Sequence, residues 1–276
     1  MTIGPDIAKI SLREELNFLL TNRIPRQLAT RLVGWLSRIE NPLLARAEIA
    51  VWRLFTELDF SDSAAQHFPS LHACFTRKLK PGARPVDADP GLLASPCDAI
   101  VGANGPIRGD ELLQVKGLTY RLGELLRDAA LARRYEDGAF VTLRLTSNMY
   151  HRFHAPYDLA VRRVARIDGD TWNVNPVALK RVEKLFCRNE RATVECALAG
   201  MDAVVTLVPV AAILVAGIRL HCLETPERVA YAKGEEMGWF EHGSTIIVLA
   251  PTGFALADGA RDGTIIRMGQ PLMKLP

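Results

Sequence analysis

The sequence has no long apolar run. Its longest uncharged stretch, Ala203 to Ile218, is interrupted by Pro209 and falls short of the ~20 residues that a membrane-spanning helix needs. Its valines and isoleucines predict two adjoining buried strands instead. There is no CxxC pair, and the five cysteines (Cys74, Cys97, Cys187, Cys196, Cys222) lie far apart. That argues against a zinc site or a disulfide framework and predicts ordinary buried thiols in a reducing compartment. Charge of one sign is also missing: the net charge of +3 is too small to imply a nucleic-acid partner. The N-terminus carries acids early and no apolar core of a leader, so no signal peptide is expected. Repeats and low-complexity tracts are absent. These absences leave a soluble or peripheral protein.

What is present divides the chain. Of its 276 residues 49% are hydrophobic and 24% charged, enough for a sizeable core and too balanced for wholesale disorder. Ser11 and Glu14 form a capping box before a helix over Leu12 to Asn22. Pro25 opens a second helix, in which Leu28, Leu32, Trp35, Leu36 and Ile39 recur at helical spacing. Asn41-Pro42 starts a third, with an apolar stripe of Leu43, Leu44, Ala47, Val51, Leu54, Phe55 and Leu58. Arginines punctuate both: Arg23, Arg26, Arg31, Arg38, Arg46 and Arg53. The pattern fits either a subdomain with solvated arginines or an interfacial anchor with Trp35 and Trp52 at the acyl boundary. Beyond the Pro/Gly/Asp-rich stretch from about Leu79, short strands dominate: AIVGAN, LLQVKG, FVTLRL, AVRRVARI, VVTLVPV and TIIVLA. A single helix is expected over Leu122 to Arg133. The fold class is α+β: amphipathic N-terminal helices over residues 1–60, then a barrel- or sandwich-like β-rich core over 61–276.

Three places could carry chemistry. Ser95-Pro96-Cys97-Asp98 puts an acid just before a strand. His151 and His154 follow the strand FVTLRL. Gly243-Ser244 opens the β-branched run Thr245 to Val248. An acid can orient a histidine that deprotonates a serine, whatever the chain order. Each residue also has an ordinary structural reading: a turn cap for Asp98, a core or rim imidazole for His154, a turn hydroxyl for Ser244. A metal at His151/His154 is disfavoured, because Pro156 follows closely, no third ligand is near and no His-Glu-x-x-His exists. No metal is expected.

Taken together, a series of strings resembles the phosphatidylserine decarboxylase family over most of the chain. They are Arg84-Pro85-Val86-Asp87, Ser95-Pro96-x-Asp98, Gln114-Val115-Lys116-Gly117 with Tyr120, and Tyr150-His151-Arg152-Phe153-His154-x-Pro156. Asn173-Val174-Asn175-Pro176, Asn189-Glu190-Arg191, Lys233-Gly234-Glu235-Glu236-Met237-Gly238 and Gly243-Ser244-Thr245 complete the series.

The resemblance implies a chain that cuts itself between Gly243 and Ser244. Ser244 Oγ attacks the Gly243 carbonyl, and His154, oriented by Asp98, takes the hydroxyl proton. Elimination and hydrolysis then leave a pyruvoyl cofactor where Ser244 was, and the two pieces stay together as a heterodimer of β and α chains. The pyruvate-derived ketone would form a Schiff base with the amine of phosphatidylserine and accept electrons as carbon dioxide leaves. His151 is the candidate for the proton donor or carboxylate contact. The partners implied are the lipid substrate and an anionic membrane surface, at the cytoplasmic face of the inner membrane; no nucleic acid is expected. Departures from the family pattern stand at Ala99, Leu159, Ala211 and Ala216, where glycines are usual, and at His242. A serine hydrolase is the competing enzyme reading, though no Gly-x-Ser-x-Gly elbow exists. A catalytically inert lipid-binding β module is the third.

Overall fold

The computed structural model describes residues 26–54, 56–115, 118–212, 217–241 and 244–276. The expected helix over Leu12 to Asn22 lies outside them. The second and third helices are present as α1 (Arg26–Leu36) and α2 (Pro42–Arg53). Asn41 caps α2: its side chain accepts from the backbone of Leu43 (3.0 Å) and Leu44 (3.2 Å), satisfying two of the donors a helix start leaves open. The apolar stripe does not turn inward. Trp35 is 67%, Leu43 75% and Leu54 80% exposed, whereas Trp52 stacks edge-on against Phe75 of α3 (Leu71–Phe75).

The rest is mainly sheet. In chain order the strands are β1 (Leu92–Ala94), β2 (Ala99–Pro106), β3 (Glu111–Val115), β4 (Leu118–Arg121), β5 (Ala139–Leu145), β6 (Arg152–His154), β7 (Leu159–Ile167) and β8 (Arg191–Leu198). There follow β9 (Val204–Ala211), β10 (Ile218–Leu220), β11 (Ala230–Tyr231), β12 (Glu236–Phe240), β13 (Ser244–Ala250), β14 (Ala255–Leu256), β15 (Ile265–Ile266) and β16 (Pro271–Lys274). One eight-stranded sheet runs β11-β7-β8-β9-β13-β5-β2-β15, antiparallel throughout. It is open, with β11 and β15 at its edges, so the layering is sandwich-like and the barrel does not close. The stretch Ala203 to Ile218 supplies β9 and the first residue of β10.

Strand β13 is central and every one of its residues is buried. Alternation splits its side chains between two cores. Ile246 and Val248 pack with Val141, Leu143 and Leu145 on one face; Ile247 and Leu249 pack with Phe140, Val208 and Val210 on the other. Such two-sided burial explains the unbroken apolar run.

The helix expected over Leu122 to Arg133 is two short ones, α4 (Leu122–Leu126) and α5 (Ala129–Arg133). Arg127 turns left-handed at φ 51° and Asp128 caps α5, accepting from the Leu131 backbone at 2.9 Å. Below α4, the buried Arg191 gives its guanidinium to the carbonyls of Leu125 (2.6 Å), Glu124 (2.9 Å), Cys187 (2.8 Å) and Asn189 (2.9 Å). It thereby answers acceptors that a helix end leaves open.

A smaller sheet, β10-β12-β6, brings the histidine segment to the strand that leads into β13. Its closeness depends on Gly238. A Cβ there would meet the Arg219 carbonyl oxygen at 2.0 Å and the Phe153 ring at 2.9 Å. Gly238→Ala is therefore expected to destabilise the protein by roughly 1–3 kcal/mol, read as a lower thermal midpoint.

Candidate active site

Ser244 heads β13, opposite Leu145 of β5 and Ala211 of β9. It is wholly buried, and its hydroxyl finds no hydrogen-bond partner among the described residues. A buried hydroxyl without a partner costs roughly 1–3 kcal/mol, so its retention calls for a use. The Ala211 side of the strand is fixed by Asn189. That amide donates to the carbonyls of Ala211 (2.8 Å) and Trp172 (2.8 Å) and accepts from the Trp172 backbone (2.9 Å). Gly243, His242 and Ala216 lie outside the described residues.

Immediately upstream, Glu241 is buried among basic side chains. Arg38 after α1 lies 2.5 Å away, Arg219 of β10 3.2 Å, and the His72 imidazole of α3 3.8 Å. Burial works to raise this carboxyl; His72, Arg38 and Arg219 overcome it and hold it down at about 2. The N-terminal helices are thus pinned to the end of the segment that approaches Ser244.

His154 ends β6, opposite Glu236 of β12. Its Nδ1 lies 2.9 Å from the Gly234 carbonyl and its Nε2 3.0 Å from the Tyr150 hydroxyl. A carbonyl can only accept, so Nδ1 carries the proton and Nε2 keeps its lone pair, accepting from Tyr150. Gly234 is at φ 85°, and a Cβ there would meet Val86 at 2.5 Å; the turn that aims this carbonyl needs glycine. Burial is the main cause that lowers the His154 pKa from 6.5. The imidazole is therefore neutral near pH 7 and competent as a base.

Asp98 is close by in the chain path but not in the expected role. The His154 backbone donates to the Pro96 carbonyl at 2.8 Å, so the two segments adjoin. The Asp98 carboxylate instead accepts from Arg84 (2.6–3.1 Å) and from the Met268 backbone (2.9 Å). The expectation that Asp98 orients His154 by direct contact is corrected: a guanidinium offers two aligned donors and outcompetes a single imidazole N–H, and Gly234 holds the ring. Burial dominates at His154 and favours the neutral ring; the Gly234 carbonyl, the Glu236 charge and, least of these, the Asp98 charge work toward the imidazolium. His151 is wholly buried, with the Phe75 ring edge-on at 5.9 Å. Arg152 between the histidines donates to the Thr76 carbonyl (2.6 Å) and to Glu236 (2.7 Å), tying α3 to β6.

Of the departures, Ala99 and Ala211 are buried at strand ends and Leu159 is buried at the start of β7. The roles of Tyr150, Gly234, Arg84 and Asn189 have no separate signal in the sequence, although each stands in one of the family-like strings. Glu241 has no signal at all.

Ser244 at the head of β13 and the buried, neutral His154 at the end of β6 stand on strands of different sheets, and no hydrogen bond joins them. A buried hydroxyl and a buried imidazole able to act as a base are what the structure offers to chemistry. A sequence model described as phosphatidylserine decarboxylase matches residues 71–274. The phosphatidylserine decarboxylase proenzyme of Halorhodospira halophila is 37% identical, over 96% of this chain and 94% of its own. The proenzyme of Alcanivorax borkumensis is 35% identical (94% and 96%), and that of Xanthomonas axonopodis pv. citri 34% (92% and 97%). The chain belongs to the phosphatidylserine decarboxylase family and is an enzyme of that class.

Proposed function

We propose that the chain is a proenzyme that cuts itself between Gly243 and Ser244 and then converts phosphatidylserine to phosphatidylethanolamine. The observation that carries this reading is the wholly buried, unpartnered Ser244 hydroxyl at the head of the central strand. In the cut, Ser244 Oγ attacks the Gly243 carbonyl carbon and the amide nitrogen leaves, so an ester replaces the peptide bond. His154 receives the hydroxyl proton at Nε2, either after the Tyr150 hydroxyl yields that position or through it. Asp98, held by Arg84, adds negative charge that steadies the imidazolium. β-Elimination then removes the Cα proton of residue 244 and expels Gly243 as a carboxylate, which frees residues 1–243 from residues 244–276, and water converts the remaining enamine to a pyruvoyl group with release of ammonia.

The residues fit that group: a small, wholly buried side chain whose hydroxyl has no hydrogen-bond partner among the described residues. When present it supplies a ketone that can hold the substrate's amine and accept the electrons released with carbon dioxide. His151, buried beside Phe75, is placed in the second half-reaction, returning a proton to the substrate carbon or contacting its carboxylate. The exposed stripe of α1 and α2, with its arginines, would seat residues 1–60 on an anionic bilayer at the cytoplasmic face of the inner membrane. Among the described residues no helix is long and apolar enough to cross a membrane.

Intact mass tests the cut. Two pieces, 1–243 and 244–276, the smaller with a carbonyl in place of its amine, are expected; one unbroken chain in an active preparation would refute it. One unbroken chain labelled at Ser244 by a fluorophosphonate would mark a hydrolase instead. For the bilayer, flotation with anionic liposomes should fall roughly tenfold or more when Trp35 and Leu43 are both changed to glutamate. Unchanged flotation would dismiss that role.

A further inference from the structure

On the face of the sheet opposite Ser244, β2, β5 and β13 floor a cavity of about 440 Å³ roofed by Leu179, Lys180 and Phe186. Its volume falls within the range of small-molecule sites. Its walls are largely apolar, but three groups on its floor have unmet capacity. The hydroxyls of Thr142 and Thr245 are buried without a hydrogen-bond partner among the described residues. Arg144 lies directly across from Thr245 and two residues from Thr142 on the same strand face. Burial alone lowers the pKa of its guanidinium, with no carboxylate set against it. Lys180 stands at the opening, with Asp262 also on the lining. A partly buried guanidinium flanked by two orphan hydroxyl donors is a receptor for a tetrahedral oxyanion, and the apolar walls suit the glycerol and first methylenes of a lipid.

We infer that this cavity receives the phosphodiester of the phospholipid, with Arg144, Thr142 and Thr245 as its donors. The inference rests on the proposed function, which puts the chemistry at residue 244. Thr245 is peptide-bonded to that residue, with Cα atoms about 3.8 Å apart, and Arg144 is one inter-strand spacing further, about 5 Å. In phosphatidylserine one P–O, one O–C, one C–C and one C–N bond separate phosphorus from the reacting nitrogen, a reach of roughly 5 Å. The Thr245 and Arg144 side chains leave on the face opposite Ser244, so an anion on the Thr245 hydroxyl, one residue from the strand head, brings the amine to residue 244 around the end of the strand. Arg144 is then a specificity-determining residue: it selects a lipid diester over a free serine amine.

Binding to the continuous chain tests this without turnover, so its outcome is independent of whether the cut occurs. Calorimetry is run on Ser244→Ala with dihexanoylphosphatidylserine, below its micelle concentration, and with dihexanoylglycerol, which lacks the diester. Adding Arg144→Gln is expected to weaken the phosphatidylserine analogue by roughly 10- to 100-fold and to leave dihexanoylglycerol unchanged. Arg144→Lys should fall between. Inorganic phosphate should compete with the lipid in the parent protein. Undiminished lipid binding in Arg144→Gln overturns the proposal, as does an equal loss of both ligands. Phosphate that binds but does not displace the lipid would make this a free-anion site and also overturn it. Should Arg144→Gln fail to fold, Lys180→Gln, at an exposed position, and Thr142→Val take its place: selective loss of the phosphatidylserine analogue is expected, and undiminished binding or an equal loss of both ligands overturns the proposal.

Discussion

His154→Ala is expected to slow self-cleavage by roughly 10²–10⁴-fold, the range that a positioned general base contributes. The measurement is the fraction of chain cut against time after synthesis, followed by intact mass. The pH dependence adds a sharper check. Burial favours the neutral ring and lowers its pKa from 6.5, so the acid limb of the cleavage rate should lie below 6.5, and His154→Ala should lose that limb. The same shift has a stability consequence of the opposite sense to a paired histidine. The unfolded chain binds the proton at pH values where the folded one refuses it, so stability is full above about pH 6.5 and declines as pH falls toward the folded pKa. An acid limb above 6.5, or rapid cleavage in His154→Ala, would remove this ring from the role of base.

Asp98→Ala is expected to do two kinds of damage. It strands Arg84, whose side chain is 9% exposed, and it takes the acceptor from the Met268 backbone. Breaking one side of a buried ion pair costs about 3–5 kcal/mol; Asp62, 2.7 Å from Arg84 on the other side, puts the expectation at the lower end. For a chain of this size that is a fall in thermal midpoint of about 6–12 °C. Cleavage should slow as well, because the imidazolium loses a neighbouring negative charge. Asp98→Asn keeps an acceptor for Met268 and should restore most of the stability but not the rate. Equal stability in Asp98→Ala and the parent would show that the Arg84 pair is not structural.

The contrast between these residues marks what the sequence could disclose. Gly243-Ser244 before a β-branched run reads as a strand head, and β13 begins at Ser244, because a strand buried on both faces has no polar side to show. The cap at Asn41 is equally legible, since capping is local chemistry. Strand β8 gives no such signal. Its Arg191, Thr193 and Glu195 look like a solvated face but are buried, answered by carbonyls 66 residues away in the chain and by Arg134 and Arg163. The break at Arg127 is hidden because a left-handed turn without glycine leaves no composition signal. The Asp98 carboxylate reads as a partner for histidine only while Arg84, in a proline-rich turn, has no place in space. Glu241 is the extreme case: Arg38 and His72 are brought to it by packing that no local pattern encodes.

The middle position of β13 sets an order of events. It hydrogen-bonds to β5 on one side and β9 on the other. A polypeptide ending at residue 243 and made alone would leave those two strands with unsatisfied inner edges, an invitation to aggregation. The proposed scission would therefore have to come after folding, and a severed tail could depart only by unzipping two ladders at once. The product of that cut would be a nicked fold rather than an assembly of two independently made parts.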